Sequence, residues 1–262
     1  MDWNTLHEMM KLGSRTNHDL ETDLGAFGLG STTASLSLGR RQHVLTRDSD
    51  GELLSAAADL DEIIKLKDFK KHLDKAQQTE LELFCQTFLR WNLEVPLTGT
   101  VVTISKCDKI ERQRLPDAVK SIKKYLGETF RHFIWAGKKF LVNGELVEAI
   151  DPLERNNPKT HILIEDTIDY TYPIGHKRAG ETEKIGVILV QLPDYGIERN
   201  KDLGYNQNNQ GFYIMRNRRE IVPHTMLKLD KLTKHPGLNL FRGEIFFPAT
   251  MDIDLGVSFL KS

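Results

Sequence analysis

Residues 24 to 35, Leu-Gly-Ala-Phe-Gly-Leu-Gly-Ser-Thr-Thr-Ala-Ser, carry the residue types best suited to chemistry in this chain. Gly25, Gly28 and Gly30 surround Phe27 and run directly into the hydroxyls of Ser31, Thr32 and Thr33. Glycines let successive backbone N–H groups converge on an anion, and a helix N-terminus behind them adds unpaired donors and the positive end of its dipole. Phosphate binding is the chemistry such a stretch serves. A glycine loop without a ligand is the competing reading. Two familiar phosphate motifs are excluded: no lysine follows the last glycine, as a P-loop requires. The close pair Gly28 and Gly30 comes last, after the polar run Arg15 to Asp23, whereas a dinucleotide fingerprint places it first, after a strand.

The elements that must position this segment follow from periodicity. Asp2 to Leu12 predicts a short amphipathic helix with Trp3, Leu6 and Met9 or Met10 inward. Behind the glycines, Ser31, Thr32 or Thr33 predicts a cap, Ala34 and Leu38 an inner face, and Gly39 a C-cap. His43 to Arg47 and Leu53 to Leu60 predict a hairpin about Asp48-Ser49-Asp50-Gly51. Gln78 to Trp91 predicts a helix burying Leu81, Phe84, Cys85, Phe88 and Leu89; Thr98 to Ser105 is β-branched and predicts a strand. Leu115 to Ile134 returns to helical spacing, and Asn143-Gly144 turns a strand pair within Lys139 to Ile150. Prolines and asparagines between Asp151 and Lys159 mark a boundary. Beyond it, strands are predicted at Ile162 to Tyr172, Ile185 to Leu192, Phe212 to Val222 and Phe241 to Phe247, with an exposed polar loop at Asn200 to Gln210.

With 262 residues, 36 Lys and Arg against 37 Asp and Glu, the chain has ample length for a core and no whole-molecule charge signal. Basic residues dominate only from Lys106 to Lys139, which reads first as a solvated helix face and second as a nucleic-acid contact. Cys85 and Cys107, both in apolar settings, read as reduced core residues of a cytoplasmic protein. The nine histidines lack metal-ligand spacing, no apolar run reaches transmembrane length, and no signal-peptide pattern opens the chain.

In this order of elements the first half resembles the ATP-binding (Bergerat) fold of the GHKL superfamily of gyrase B, heat-shock chaperones, histidine kinases and MutL. Gly25-Ala-Phe-Gly-Leu-Gly is similar to that superfamily's second glycine box, closest to its microrchidia-related prokaryotic and phage branch. Val44-Leu-Thr-Arg resembles the strand after the lid helix, Gly99-Thr-Val-Val-Thr-Ile the last core strand, and Phe140 to Pro152 a segment of the prokaryotic branch. Gly211 to Arg219 and Phe241 to Pro248 look like its transducer domain. The resemblance implies an α+β protein: an incomplete Bergerat-type α/β sandwich over residues 1–152, then a transducer-like α+β domain over 158–262.

It also implies ATP as ligand, with the backbone of Gly25, Ala26, Phe27, Gly28, Leu29 and Gly30 and the hydroxyls of Ser31 and Thr32 around the phosphates. Thr46 falls near the adenine pocket, and Lys261 at the position of the transducer lysine, with Arg216 and Arg218 weaker candidates for that role. Thr32 departs from relatives that carry a lysine there, so it offers a hydroxyl without charge. Met1-Asp2-Trp3 aligns with the end of the family's aspartate box. The expectation is therefore an N-terminally truncated chain, whose catalytic glutamate and magnesium-binding asparagine lie outside it. The implied activity of the parent is ATP hydrolysis, with a lid over roughly Gly13 to Gly25 and dimerisation through the ATP-binding domain. The alternative is a non-catalytic scaffold or nucleic-acid-binding module on a degenerate ATPase fold, with no membrane partner in either case.

Overall fold

Asp2 has extended backbone, and its carboxylate accepts the Thr5 N–H at 2.7 Å, which starts α1 (Trp3–Met10). The spacing of Leu6 and Met10 puts both on one face, where they are buried, while Trp3 is exposed rather than inward. The computed structural model describes residues 1–11, 30–67, 72–108, 114–227 and 233–257. Helix α2 (Gly30–Leu38) leads into the hairpin of β1 (Arg41–Arg47) and β2 (Leu53–Asp59), paired antiparallel from Arg41↔Asp59 to Arg47↔Leu53. Its turn is closed by Asp48, whose Oδ1 accepts the N–H groups of Asp50 and Glu52, and by Gly51 at φ 84°. Helix α3 (Leu60–Leu66), β3 (His72–Lys75), α4 (Gln78–Leu89) and β4 (Gly99–Ser105) follow. The four strands form an antiparallel sheet in the order β3-β2-β1-β4.

Strand alternation divides the core. Val44, Leu54, Ala56 and Ala58 pack with Leu6 and Met10 on one face; Leu45 and Val101 pack with Phe84 of α4 on the other. Leu89, expected on the inner face of α4, is exposed, because the helix ends there and only Phe84, Cys85 and Phe88 reach the sheet cluster.

The first compact unit reaches Arg114 and the second starts at Leu115, so the proline-rich break at Asp151 to Lys159 lies inside the second unit. The stretch expected as one helix breaks at Phe130 into α5 (Leu115–Thr129) and α6 (Arg131–Trp135), followed by the small hairpin β5 (Leu141–Val142) and β6 (Glu145–Leu146). Asn143 (φ 52°) and Gly144 (φ 79°) make its turn. Strands β7 (His161–Thr171), β8 (Thr182–Gln191), β9 (Gly211–Arg216), β10 (Arg219–Thr225) and β11 (Phe241–Phe247), with α7 (Ile197–Asp202), complete the unit. The sheet order is β10-β9-β11-β8-β7, antiparallel except for β9 and β11.

Residues 212–222, expected as one strand, are a tight hairpin, because Asn217 and Arg218 both adopt positive φ. The polar stretch 200–210 is not simply exposed: Tyr205 and Gln210 are buried, and Gln210 bonds His235 and Asn239. Cys107 is exposed rather than in the core, and Cys85 is half-buried. The molecule is an α+β protein. Among the described residues no helix is long and apolar enough to cross a membrane.

Candidate functional site

The first turn of α2 sits against β1. Ser31 accepts a hydrogen bond on Oγ from Gln42 Nε2 at 2.9 Å, tying the helix start to the strand. Thr32 is 1% exposed, and its Oγ1 has no hydrogen-bond partner among the described residues; the Oε1 of the fully buried Gln42 has none either. Buried hydroxyl and amide groups normally find partners, so two orphans at one helix start are a polar site without its complement. Gly30 adds a third feature. Among the described residues a Cβ placed there would meet nothing within 4 Å, so packing against them does not require a glycine. Close approach of a ligand to the backbone would.

Helix α2 differs from its periodicity reading. Thr32 and Ser35 face inward, whereas Ala34 is exposed and Leu38 is 43% exposed. The cause is Gly39: a Cβ on it would stand 2.6 Å from the Ser105 carbonyl oxygen. That approach to β4 requires a small contact face on the helix, so hydroxyl residues rather than Leu38 turn inward. Gly39 therefore serves close packing and not a left-handed cap.

Gln42, Val44 and Thr46 alternate along the β1 face that meets α1 and α2. Thr46 is fully buried; its Oγ1 lies 2.8 Å from Thr100 Oγ1 and 3.2 Å from the Gly99 carbonyl oxygen, and it accepts a hydrogen bond from the Met1 amino group at 3.1 Å. On one sheet face, then, the structure brings together Gly30, Ser31, Thr32 and, roughly 13 Å away along the strand at ~3.3 Å per residue, Thr46. Gly25, Ala26, Phe27, Gly28, Leu29, the lid and Lys261 lie outside the described residues. Gln42 and Thr100 were missed by sequence reading. The signal available for Gln42 was a polar residue in register with Val44 and Thr46 on an otherwise apolar strand face.

Both arginines weighed for the transducer role are in the second unit. Arg216 is buried and pairs with Asp252, its Nε 2.6 Å from Oδ1, so it is a structural ion pair and not a solvated turn residue. Arg218 is exposed, its guanidinium 5.3 Å from the centroid of the Phe133 ring.

The opposite face of the first sheet carries a second polar cluster. His43 Nε2 lies 3.0 Å from both Ser55 Oγ and Glu80 Oε1, and Ser55 Oγ donates to the same Glu80 oxygen at 2.7 Å. Burial pushes the Glu80 carboxyl up, but the Gln77 N–H, Ser55 and His43 together hold it below the usual carboxylate range. A Ser-His-carboxylate relay needs the hydroxyl and the acid on opposite ring nitrogens; here both meet Nε2. The cluster instead joins α4 to β1 and β2.

Two members of the basic run are engaged within their own units. Lys106 binds Asp59 and Asp61, each at 2.8 Å, and Arg131 is fully buried in the second unit. Among the described residues no group of three or more His, Cys, Asp or Glu is placed to hold a metal ion. The start of α2 thus leaves the Thr32 hydroxyl and the Gln42 amide oxygen without partners among the described residues. No family model matches the chain, and no curated protein matches it.

Proposed function

We propose that the first unit is the phosphate-binding part of a GHKL-type ATP-binding domain, an incomplete Bergerat fold. The single observation that carries this reading is the start of α2. There a glycine that no described neighbour requires adjoins a buried threonine hydroxyl with no partner among the described residues, at a helix N-terminus. The adenine-side role of Thr46 rests on the resemblance alone, since its hydroxyl is already engaged by Thr100, the Gly99 carbonyl and the Met1 amino group. In this reading the N–H groups from Gly25 to Gly30 and the hydroxyls of Ser31 and Thr32 donate to phosphate oxygens. They orient the triphosphate while the helix dipole offsets part of its charge. ATP hydrolysis by the full protein, dimerisation on ATP binding, a transducer role for the second unit with Lys261, and a cytoplasmic location belong to the same proposal. Magnesium, when bound to such a site, neutralises the phosphates; no residue described here is assigned to it. The alternative, a non-catalytic scaffold or nucleic-acid-binding module, would draw on the exposed members of the basic run such as Lys120, Lys138 and Lys139.

Gly30→Ala tests the reading. Alanine is roughly 0.8–1 kcal/mol more favourable than glycine in a helix interior, so thermal stability is expected to hold or rise slightly, while affinity for a fluorescent ATP analogue falls at least tenfold. Unchanged ATP binding in Gly30→Ala and in Gly28→Val, or no ATP binding by the intact protein, overturns it.

A further inference from the structure

A cavity of about 700 Å³ opens in the second unit between α5, β10 and the segments around Pro152 and Leu203. Its floor carries Arg242, which is 2% exposed. Nη1 of Arg242 donates to the carbonyls of Asn239 at 2.9 Å and Phe241 at 2.8 Å, and among the described residues no carboxylate lies within 4 Å of its guanidinium. Burying a cation without a counter-charge is costly, and burial pulls the Arg242 guanidinium below its ordinary range.

Of the acids around the same cavity only Glu154 acts on Arg242, and it does so from beyond ion-pair distance. Glu220 pairs with Arg131, and Asp151 with Arg155 at 3.0 Å. Glu128 pairs with Lys124 at 3.7 Å, and Asp202 is exposed. Glu154 accepts from the Tyr205 hydroxyl and from Asn157 Nδ2. A second cation, Arg219, lines the cavity with a buried Nε that has no partner among the described residues; its guanidinium stacks over Phe130 at 5.5 Å. The lining thus holds carboxylates, but Glu128, Asp151 and Glu220 are paired with other cations and Glu154 is bound by Tyr205 and Asn157, so among the described residues Arg242 and Arg219 keep guanidinium groups with no carboxylate within 4 Å.

The remaining walls suit an organic body. Tyr125, Tyr205, Tyr213 and Ile221 present rings and apolar surface. Burial pushes the Tyr213 phenol up to about 12, and its hydroxyl donates to the Asn209 carbonyl, so it stays neutral beside Arg242. His224, at φ 36°, is held below the usual imidazole range by burial and by Lys234. The volume falls within the range of about 300–1,000 Å³ common for small-molecule sites.

We propose that this cavity binds a small organic anion, a carboxylate or phosphate-monoester head on a compact apolar body, with the head bound by Arg242. This is separate from the nucleotide reading of the first unit and stands without it. The test is calorimetric titration of the full chain with benzoate and with phenyl phosphate, using benzamide as the neutral control. At least one of the two anions is expected to bind, benzamide is not, and which anion binds tells carboxylate from phosphate. Arg242→Gln removes a charge-assisted contact of roughly 1.5–3 kcal/mol, so affinity should fall about tenfold to a hundredfold. Ile221→Trp fills the cavity without touching the charge and should abolish binding; it decides the matter alone if Arg242→Gln does not fold. Binding of neither anion at millimolar concentration, benzamide binding equal to benzoate, or unchanged affinity in Ile221→Trp overturns the proposal.

Discussion

Replacing Thr32 by valine should move stability and ligand affinity in opposite directions. The two side chains have nearly the same shape and similar helix propensity, so packing against β1 is conserved. What changes is a hydroxyl that is 1% exposed and has no partner among the described residues. Leaving such a group unsatisfied costs about 1–3 kcal/mol, and valine removes that cost. At roughly 4 °C per kcal/mol for a unit of this size, the midpoint of thermal unfolding should rise by about 4 °C or more without ligand. The proposed phosphate contact disappears with the hydroxyl. A hydrogen bond to a charged group is worth about 1.5–3 kcal/mol, so ATP affinity should fall about tenfold to a hundredfold. Thermal melts by circular dichroism, with and without ATP, together with calorimetry of nucleotide binding, read both effects on one sample. Thr32→Ser keeps the hydroxyl and should keep most of the affinity while losing stability from the missing methyl group. A Thr32→Val protein that is no more stable than wild type and binds ATP as well would refute the reasoning.

Gly39→Ala should destabilise the first unit by roughly 1–3 kcal/mol, because its Cβ would stand 2.6 Å from a backbone oxygen that cannot move aside; denaturant melts measure it. Burial pushes Asp59 up, but Lys106 and the Asp61 N–H outweigh it and hold the carboxyl below its usual range. A lowered acid contributes stability that is present above its unfolded value near pH ~4 and is lost as pH falls through the folded one. The melting temperature of the first unit should therefore drop below about pH 4, and more shallowly in Lys106→Met, which is already destabilised at neutral pH. In the second unit, the fully buried Glu244 faces Arg131 at 3.2 Å, Arg155 at 3.3 Å and His132. Glu244→Gln takes away the carboxylate that Arg131 and Arg155 share, leaving each with its other acid, Glu220 or Asp151, and should cost about 1–3 kcal/mol, read by urea unfolding.

Local pattern carried the elements whose signal is a period or a turn. The β1–β2 hairpin followed from alternation around Asp48 to Gly51, β4 from its β-branched run, and the β5–β6 turn from Asn143-Gly144. Elements governed by distant contacts were read less well. The break at Phe130 puts Arg131 into the buried ion network with Glu220 and Glu244, residues 89 or more positions away. Arg218 takes a left-handed conformation in a turn that separates β9 from β10, and nothing in a run of strand formers signals it.

For the site, the sequence by itself set only the expectation of phosphate chemistry. A glycine cluster running into hydroxyl residues and a helix carries that expectation, because backbone N–H groups and a helix dipole are local properties. The tertiary structure decided which atoms are left for a ligand. Thr32 rather than Ala34 turns inward because Gly39 presses α2 against β4, and Thr32 is orphaned because β1 presents Gln42 to Ser31 instead. Burial and hydrogen-bond satisfaction depend on neighbours far away in the chain, so no local pattern could have separated Thr32 from the hydroxyls beside it. Arg242 illustrates the same point in the second unit. In sequence it is one arginine in a strand, and only the packing around it leaves its charge facing a cavity with no carboxylate of the described residues within 4 Å.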